Sequence, residues 1–484
     1  MAVLANSASH AQPHSNSAEH DHEAHLREEH LMLDPRPRGE MNAMVMESMH
    51  VTSWKFWVIA AILAITVVVT LGYYWGLMIA EGLGLSGLNR PVYWGIFLVN
   101  FVFWVGISHA GTFVSALLRV FKAEFRRPFT RAAELMTTFG LAQAGMSIFM
   151  HMGRVWLAYW MFPYPNERAI WPNFHSPLSW DFLAINTYLI SSTMYLFLPL
   201  IPDLAMARDR STGWRKIFYR ILSLGFRGTE GEWTHLRFAM NLFAFAILPV
   251  MFSVHTIVSW DFAAAMRPGW SSTIFGPYFV VGALQSGLSA VAMVIITVRT
   301  TMKNMKYFIR PEHLDAIGKL MLIISMAWAY FFFNDYLVQW YSGDKWQTIL
   351  ARFHEEGPLA WMFIAMLVFN IVIPWLTLWN KKIRRNPAAL FTIGFLVNVA
   401  MWFERYIIIP TSLSINRFPF TYQFYNPAIE IPLTIGTFSL FILLYMIASR
   451  LIPLVPVWEV QEGQLAHSLR KFGKETVVTV SDLE

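Results

Sequence analysis

Residues 236–262 read LRFAMNLFAFAILPVMFSVHTIVSWDF, and between Arg237 and Asp261 there is no lysine, arginine, aspartate or glutamate. As helix, such a run of about twenty residues spans roughly the 30 Å of a bilayer's hydrocarbon core. It ends on Ser-Trp-Asp-Phe, and the same four residues at 179–182 open another apolar stretch. An aspartate beside a tryptophan at two such boundaries suggests a membrane surface with polar work to do.

The whole chain supports lipid as its solvent. It is 56% hydrophobic and 14% charged, whereas soluble domains carry about a quarter charged residues. We read ten spans, at 54–80, 91–118, 134–162, 178–201, 236–262, 276–300, 317–341, 358–380, 388–411 and 428–452. The loops after the second, fourth, sixth and eighth spans hold twenty-one Lys or Arg against seven in the opposite loops. That bias places the basic loops, and with them both termini, in the cytoplasm. The net charge of +6 then belongs to one membrane face and does not signal nucleic acid. With no cysteine the chain has no disulfide and no thiolate for zinc or an iron–sulfur cluster.

Residues 1–50 form a polar tail with histidines at 10, 14, 20, 22, 25 and 30, and 456–484 a second soluble tail. The tail at 1–50 has no apolar segment of signal-peptide type and reads as disordered. Between the tails lies the membrane domain, 51–455. The segments beginning RPVYWGIFLVN and FGPYFVVGALQ align at an offset of 185 residues, matching Tyr93 with Tyr278 and Leu135-Met136 with Leu320-Met321. Under that offset the expected fold is an all-α membrane protein. Its ten transmembrane helices form two four-helix bundles, about 91–262 and 276–411, related as a parallel repeat, with the first and last helices peripheral.

Ionisable groups inside spans are costly and usually face a cavity, a partner or a path. Near the outer ends are His151 and Arg154, Asp181, His255 and Asp261, Asp335, and Glu404 with Arg405; toward the inner ends are His109, Glu134, Asp203 and His235. His151 and Arg154, three apart, are expected on one helical face. His255 sits six residues before Asp261, about 9 Å deeper. Such a group could hold a ligand's polar head and pass protons outward, with imidazoles titrating near neutrality. A bland reading pairs Arg154 with Asp181 and Arg405 with Glu404 to glue helices.

The stretches SHAGTFVSALLRVF (108–121), RAAELMTTFGLAQAGMSIFMHMGRVWLAYWMFPYPN (131–166), HSPLSWDF (175–182), LPLIPDLAMARDR (198–210) and WFERY (402–406) resemble the membrane subunits of the NrfD and polysulfide-reductase family. Within it the resemblance is closest to the large NrfD-like membrane subunit of alternative complex III. It covers roughly 50–455 and is most specific over 106–210. The resemblance implies a subunit of the bacterial inner membrane, without haem or iron–sulfur cluster of its own, that oxidises quinol near the periplasmic face. Its implied partners are a periplasmic-side iron–sulfur subunit, a second NrfD-like membrane subunit and c-type cytochrome subunits. The favoured cofactor is menaquinol, although no motif distinguishes it from ubiquinol.

His151, Arg154 and Asp181 fall on the family's quinol-site motif, with His151 and Asp181 as the catalytic pair. His255, Asp261, Glu404 and Arg405 complete the quinol-binding set. His109, Glu134, Gln143, Asp203 and Asp335 are candidates for a proton path. The chemistry agrees, because removing two electrons and two protons from a quinol needs bases beside its hydroxyls. A secondary transporter would place its site at the midplane in broken helices, and a haem-b cytochrome usually stacks two histidines deep on one helix; these are the alternatives.

Overall fold

Every residue from Gly95 to Ala116 is buried, so the helix containing them lies at the centre of the molecule. The computed structural model describes residues 36–88, 92, 94–161, 177–415, 426–472 and 475–480. In chain order the main helices are α1 (Arg38–His50), α2 (Trp54–Glu81), α3 (Gly95–Val120), α4 (Thr130–Met152), α5 (Pro177–Asp209), α6 (Gly213–Leu222) and α7 (Glu230–Ala263). They continue with α8 (Phe275–Thr301), α9 (Pro311–Ser342), α10 (Lys345–Glu356), α11 (Ala360–Thr377), α12 (Pro387–Ser414), α13 (Pro427–Leu451) and α14 (Val457–Ala466). A two-stranded antiparallel hairpin follows, β1 (His467–Phe472) with β2 (Glu475–Val480), pairing His467 with Val480.

Nine helices among the described residues are long and apolar enough to cross a membrane: α2, α3, α5, α7, α8, α9, α11, α12 and α13. The helix standing where the third span was expected is α4, which carries Arg131, Glu134, Gln143 and His151 and buries all four. Its polarity keeps it out of the nine. Among the described residues, four helices carry a turn of π-helix, at Val68–Tyr74, Phe113–Leu117, Val368–Val372 and Ile407–Thr411.

Packing starts from α3. It lies against α4 on one side and α8 on another; α4 packs on α5, α5 on α7, and α7 returns to α3 and α8. Beyond α8 the contacts run to α9 and α12, and α11 packs on α12. Peripheral α2 lies on α13 and exposes Trp57, Ile59, Ile62 and Ile65, as a lipid-facing helix does. Glycines set the closest approaches. A Cβ on Gly111 would overlap the Ala133 carbonyl and the Thr137 hydroxyl of α4, and one on Gly287 would come within 2.5 Å of Ala110 Cβ. Thr137 Oγ1 donates to the Ser108 carbonyl at 2.8 Å across that contact.

Both expected tails need correction. Residues 1–35, with the six tail histidines, lie outside the described residues, but α1 falls inside the supposed disordered segment 1–50. It buries Met41, Val45, Met46 and Met49, which share one helical face. At the other end of the chain, Trp458 and Glu459 are buried. Trp458 Nε1 donates to the Pro199 carbonyl at 2.9 Å. Glu459 accepts from Arg126 at 2.9 Å, with Arg119 at 3.7 Å. The helix α14 thus closes the arginine-rich end of α3–α4–α5, which a reading as a separate soluble tail did not foresee. Burial pushes the Glu459 carboxyl up, but Arg126, Arg119 and Arg127 outweigh it and hold it below the ordinary value.

Two outcomes are expected. Gly111→Ala should cost about 1–3 kcal/mol by overpacking and lower the thermal midpoint of the purified protein, whereas Gly145→Ala, which meets nothing within 4 Å, should leave it unchanged. A carboxyl held low in the folded state contributes stability that is present above its unfolded value and lost as pH falls through the folded one. Limited proteolysis should therefore release the segment after 456 in Glu459→Gln at neutral pH, and in the unaltered protein only below the carboxylate range.

Candidate functional site

The two SWDF aspartates meet. Asp181 lies in the second turn of α5 and Asp261 in the last turn of α7, and their carboxyl groups hydrogen-bond to each other. Two carboxylates only accept hydrogen bonds, so a bond between these groups requires a proton on one of them. Asp181 is buried, and one oxygen of each aspartate, Oδ1, is buried without a partner. In the same last turns of α7, Trp260, Ala263 and Ala264 line a shallow groove of about 370 Å³ with Ser271 to Thr273, and neither aspartate is among its lining residues. Groove volumes of that order suit a small-molecule head group.

One and a half turns deeper on α7 is His255, fully buried. Neither ring nitrogen has a hydrogen bond of good geometry, and the Phe279 backbone stands beside them. Its ring lies 4.6 Å from that of His109 on α3. His109 points Nδ1 at the Val105 carbonyl (2.7 Å) and Nε2 at the Met251 carbonyl (2.8 Å). A ring protonated on both nitrogens satisfies both acceptors; a neutral ring satisfies one. Tyr188 follows, its ring 5.2 Å from His109 and its hydroxyl 2.7 Å from Thr112 Oγ1. Toward the basic end Arg131 bridges Asp203 (3.1 Å) and Glu134 (3.6 Å), all three buried. Gln143, also buried, leaves its Oε1 unpartnered.

The remaining outer residues form a different group between α8, α9 and α12. Glu404 pairs with Arg405 and accepts from the Tyr278 hydroxyl, and from Trp328 Nε1 at 3.1 Å. Glu404 and Arg405 pair with each other on α12, and Tyr278 and Trp328 tie Glu404 to α8 and α9. Asp335 accepts from Ser272 Oγ and Gln339 Nε2, both at 2.8 Å. It does not continue the His109–Glu134 series with which it was grouped, but lines a cavity of about 30 Å³ with Tyr278, Tyr336, His354 and Glu404. That is room for water and not for a quinone ring. Arg405 connects the two groups, lying 5.0 Å over the Phe279 ring, whose centroid is 5.9 Å from that of His255.

His151 and Arg154 do not share a helical face. The helix stops at Met152, Gly153 takes φ +72°, and Arg154 is exposed ahead of the 3₁₀ segment Val155–Met161. His151 Nδ1 lies 3.0 Å from the Ser147 carbonyl and its ring stands edge-on to Trp94. Among the described residues no hydrogen bond or ion pair joins His151 to either aspartate, and Asp181 is paired with Asp261, not Arg154. The sequence reading missed His354, whose ring nitrogens lie 3.2 Å from the Tyr336 hydroxyl and 3.1 Å from Thr411 Oγ1. It sits on α10, a stretch taken as a loop. The signal available was Leu350 and His354, four apart on one face and both buried.

Residues 84–416 match the family described as Polysulphide reductase, NrfD. The chain belongs to that family. The matched segment encloses α3 to α12 and leaves α2 and α13 outside. Over 418 residues the chain is 26% identical to a protein of Halobacterium salinarum named as a dimethyl sulfoxide reductase membrane subunit, covering 81% of this chain and 90% of that one. It is 22% identical to the Hdr-like menaquinol oxidoreductase integral membrane subunit of Archaeoglobus fulgidus, over 83% and 95%. A selenate reductase subunit of Mesobacillus selenatarsenatis is 20% identical over 78% and 89%. This NrfD protein is a multi-pass membrane protein similar to membrane subunits of redox complexes.

If the aspartates share a proton, difference infrared spectroscopy should show one protonated-carboxyl band lost in both Asp181→Asn and Asp261→Asn. A band kept in either variant would mean the carboxyl groups do not share it.

Proposed function

We propose that this NrfD subunit binds and oxidises quinol, menaquinol being favoured, in a complex of the alternative complex III type. The observation that carries the reading is the contact of buried Asp181 with Asp261 at the end of α7, whose last turns also line a groove, with the imidazole of His255, its nitrogens without a hydrogen bond of good geometry, deeper on the same helix. Oxidation of one quinol yields one quinone, two electrons and two protons. A carboxyl pair that already holds one proton has one basic position left, and His255 offers a second, so two protons find acceptors within one helix segment. The electrons leave to an iron–sulfur subunit docked at the same face. Further flow to c-type cytochrome subunits, with a second NrfD-like membrane subunit beside this one, belongs to the same proposal.

The architecture proposed with it has ten helices crossing the bilayer, α4 included. Helices α3, α4, α5 and α7 form one bundle, and α8, α9, α11 and α12 a second of the same orientation. The basic loops and both termini face the cytoplasm of a bacterial inner membrane, which puts the aspartate pair near the periplasm. Protons released there add to the gradient directly. His151 and Arg154, at the end of α4, are proposed to border the quinol. His109, Tyr188, Glu134, Arg131 and Asp203 lie in series from His255 toward the cytoplasmic end, an order that suits proton translocation.

Quinol oxidation by the intact complex carrying Asp181→Asn is the test. Turnover should fall by at least about a hundred-fold, the scale of acid–base catalysis, with the complex still assembled. Unchanged turnover would contradict the proposal.

A further inference from the structure

At the arginine-rich end, the corner where α1, α2, α6 and α13 meet holds two arginines that, among the described residues, have no acidic partner. Arg450, in the last turn of α13, directs Nη1 at the carbonyls of Ser48, Met49 and Val51, at 2.9, 3.3 and 3.2 Å. It thereby caps the C-terminus of α1, as cations do at helix ends. Its Nε is buried without a partner. Arg215 of α6 lies close enough for the two guanidinium charges to repel, and its Nη1 is likewise buried and unpartnered. Beside Arg215 stands the hydroxyl of Tyr219, a residue with 0% exposure whose Oη makes no hydrogen bond of good geometry. Tyr219 is packed among Met46, Met49 and Leu204, so water does not reach it from that side.

The Tyr219 oxygen is within reach of Arg215, but Arg215 Nη1 and Arg450 Nε stay buried without an acceptor of good geometry, which is costly, and two like charges add to that cost. An anion with several oxygens would satisfy all three groups. The surroundings indicate where that anion comes from. Trp54, Trp57 and Trp214 are exposed around the corner, at the level where tryptophan marks the headgroup layer. Helix α6 also presents Trp214, Ile217 and Ile221 outward between Arg215, Lys216 and Arg220. That is the pattern of a helix lying in the interface plane over anionic lipid.

We propose that this corner is a binding site for the phosphate of an anionic phospholipid. Arg215, Arg450 and the Tyr219 hydroxyl hold the phosphate, and the acyl chains run along the exposed side of α2. The lipid ties α1 and α6, which do not cross the membrane, to the helices that do.

The test uses the full chain equilibrated in vesicles of mixed phosphatidylglycerol and phosphatidylcholine, extracted gently, with retained lipid counted by native mass spectrometry. Phosphatidylglycerol should be enriched over its bulk share. Arg215→Gln should lower that enrichment about five-fold, the scale of one cationic contact at an anionic surface, and Tyr219→Phe should lower it measurably. Lys381→Gln, which alters an exposed charge on the short helix Lys381–Arg385, away from this corner, should leave it unchanged. No enrichment, an equal loss in Lys381→Gln, or full displacement of the lipid by millimolar inorganic phosphate would each overturn the proposal.

Discussion

In a bilayer's interior, water is not available to solvate a polar side chain, so each one is paired within the protein or remains unsatisfied at a cost of several kcal/mol. The interior of this protein is organised by that constraint. Arg131 lies between Asp203 and Glu134, Arg405 on Glu404, and Asp181 on Asp261. The helices that carry these groups are held in register by them as much as by the glycine contacts of α3. Where pairing fails, at His255, Gln143 and the buried Oδ1 atoms of the aspartate pair, the unsatisfied atoms mark positions at which a ligand or a proton would be stabilised.

The two halves of the molecule use the constraint differently. Between α8, α9 and α12, Glu404 is saturated by Arg405, Tyr278 and Trp328, and Asp335 by Ser272 and Gln339. That half has the chemistry of a fixed polar core around a water-sized cavity. The half built on α3, α5 and α7 keeps free valences: a carboxyl pair, an imidazole without a partner, and a histidine facing two carbonyls. Proton traffic needs such groups, and this is why the quinol reading is assigned there. An outer set that looked like one convergent cluster in sequence is two clusters in space, with Arg405 and Phe279 between them.

Much of the membrane part was legible in the sequence because lipid imposes length and apolarity directly. The boundaries of α2, α8, α12 and α13 fall within a few residues of the expected ones. What local pattern does not encode was missed. Nothing around His151 announces that Gly153 will turn left-handed and end α4 ten residues early. The meeting of Asp181 with Asp261 depends on α5 lying beside α7, although the repeated SWDF was the one hint that the two belong together. Helices α1, α10 and α14 are short, polar on one face and stabilised by docking, so hydropathy passes over them. His354 and Glu459 were lost with them.

The central claim is that quinol is held beside the Asp181–Asp261 pair. A photoreactive quinone analogue, cross-linked to the intact complex and mapped by peptide mass spectrometry, tests it most directly. Quinol held there predicts label on the first turns of α5 and the last turns of α7, competed away by quinol. Label confined to α9 and α12 around Asp335 and Glu404 would contradict it.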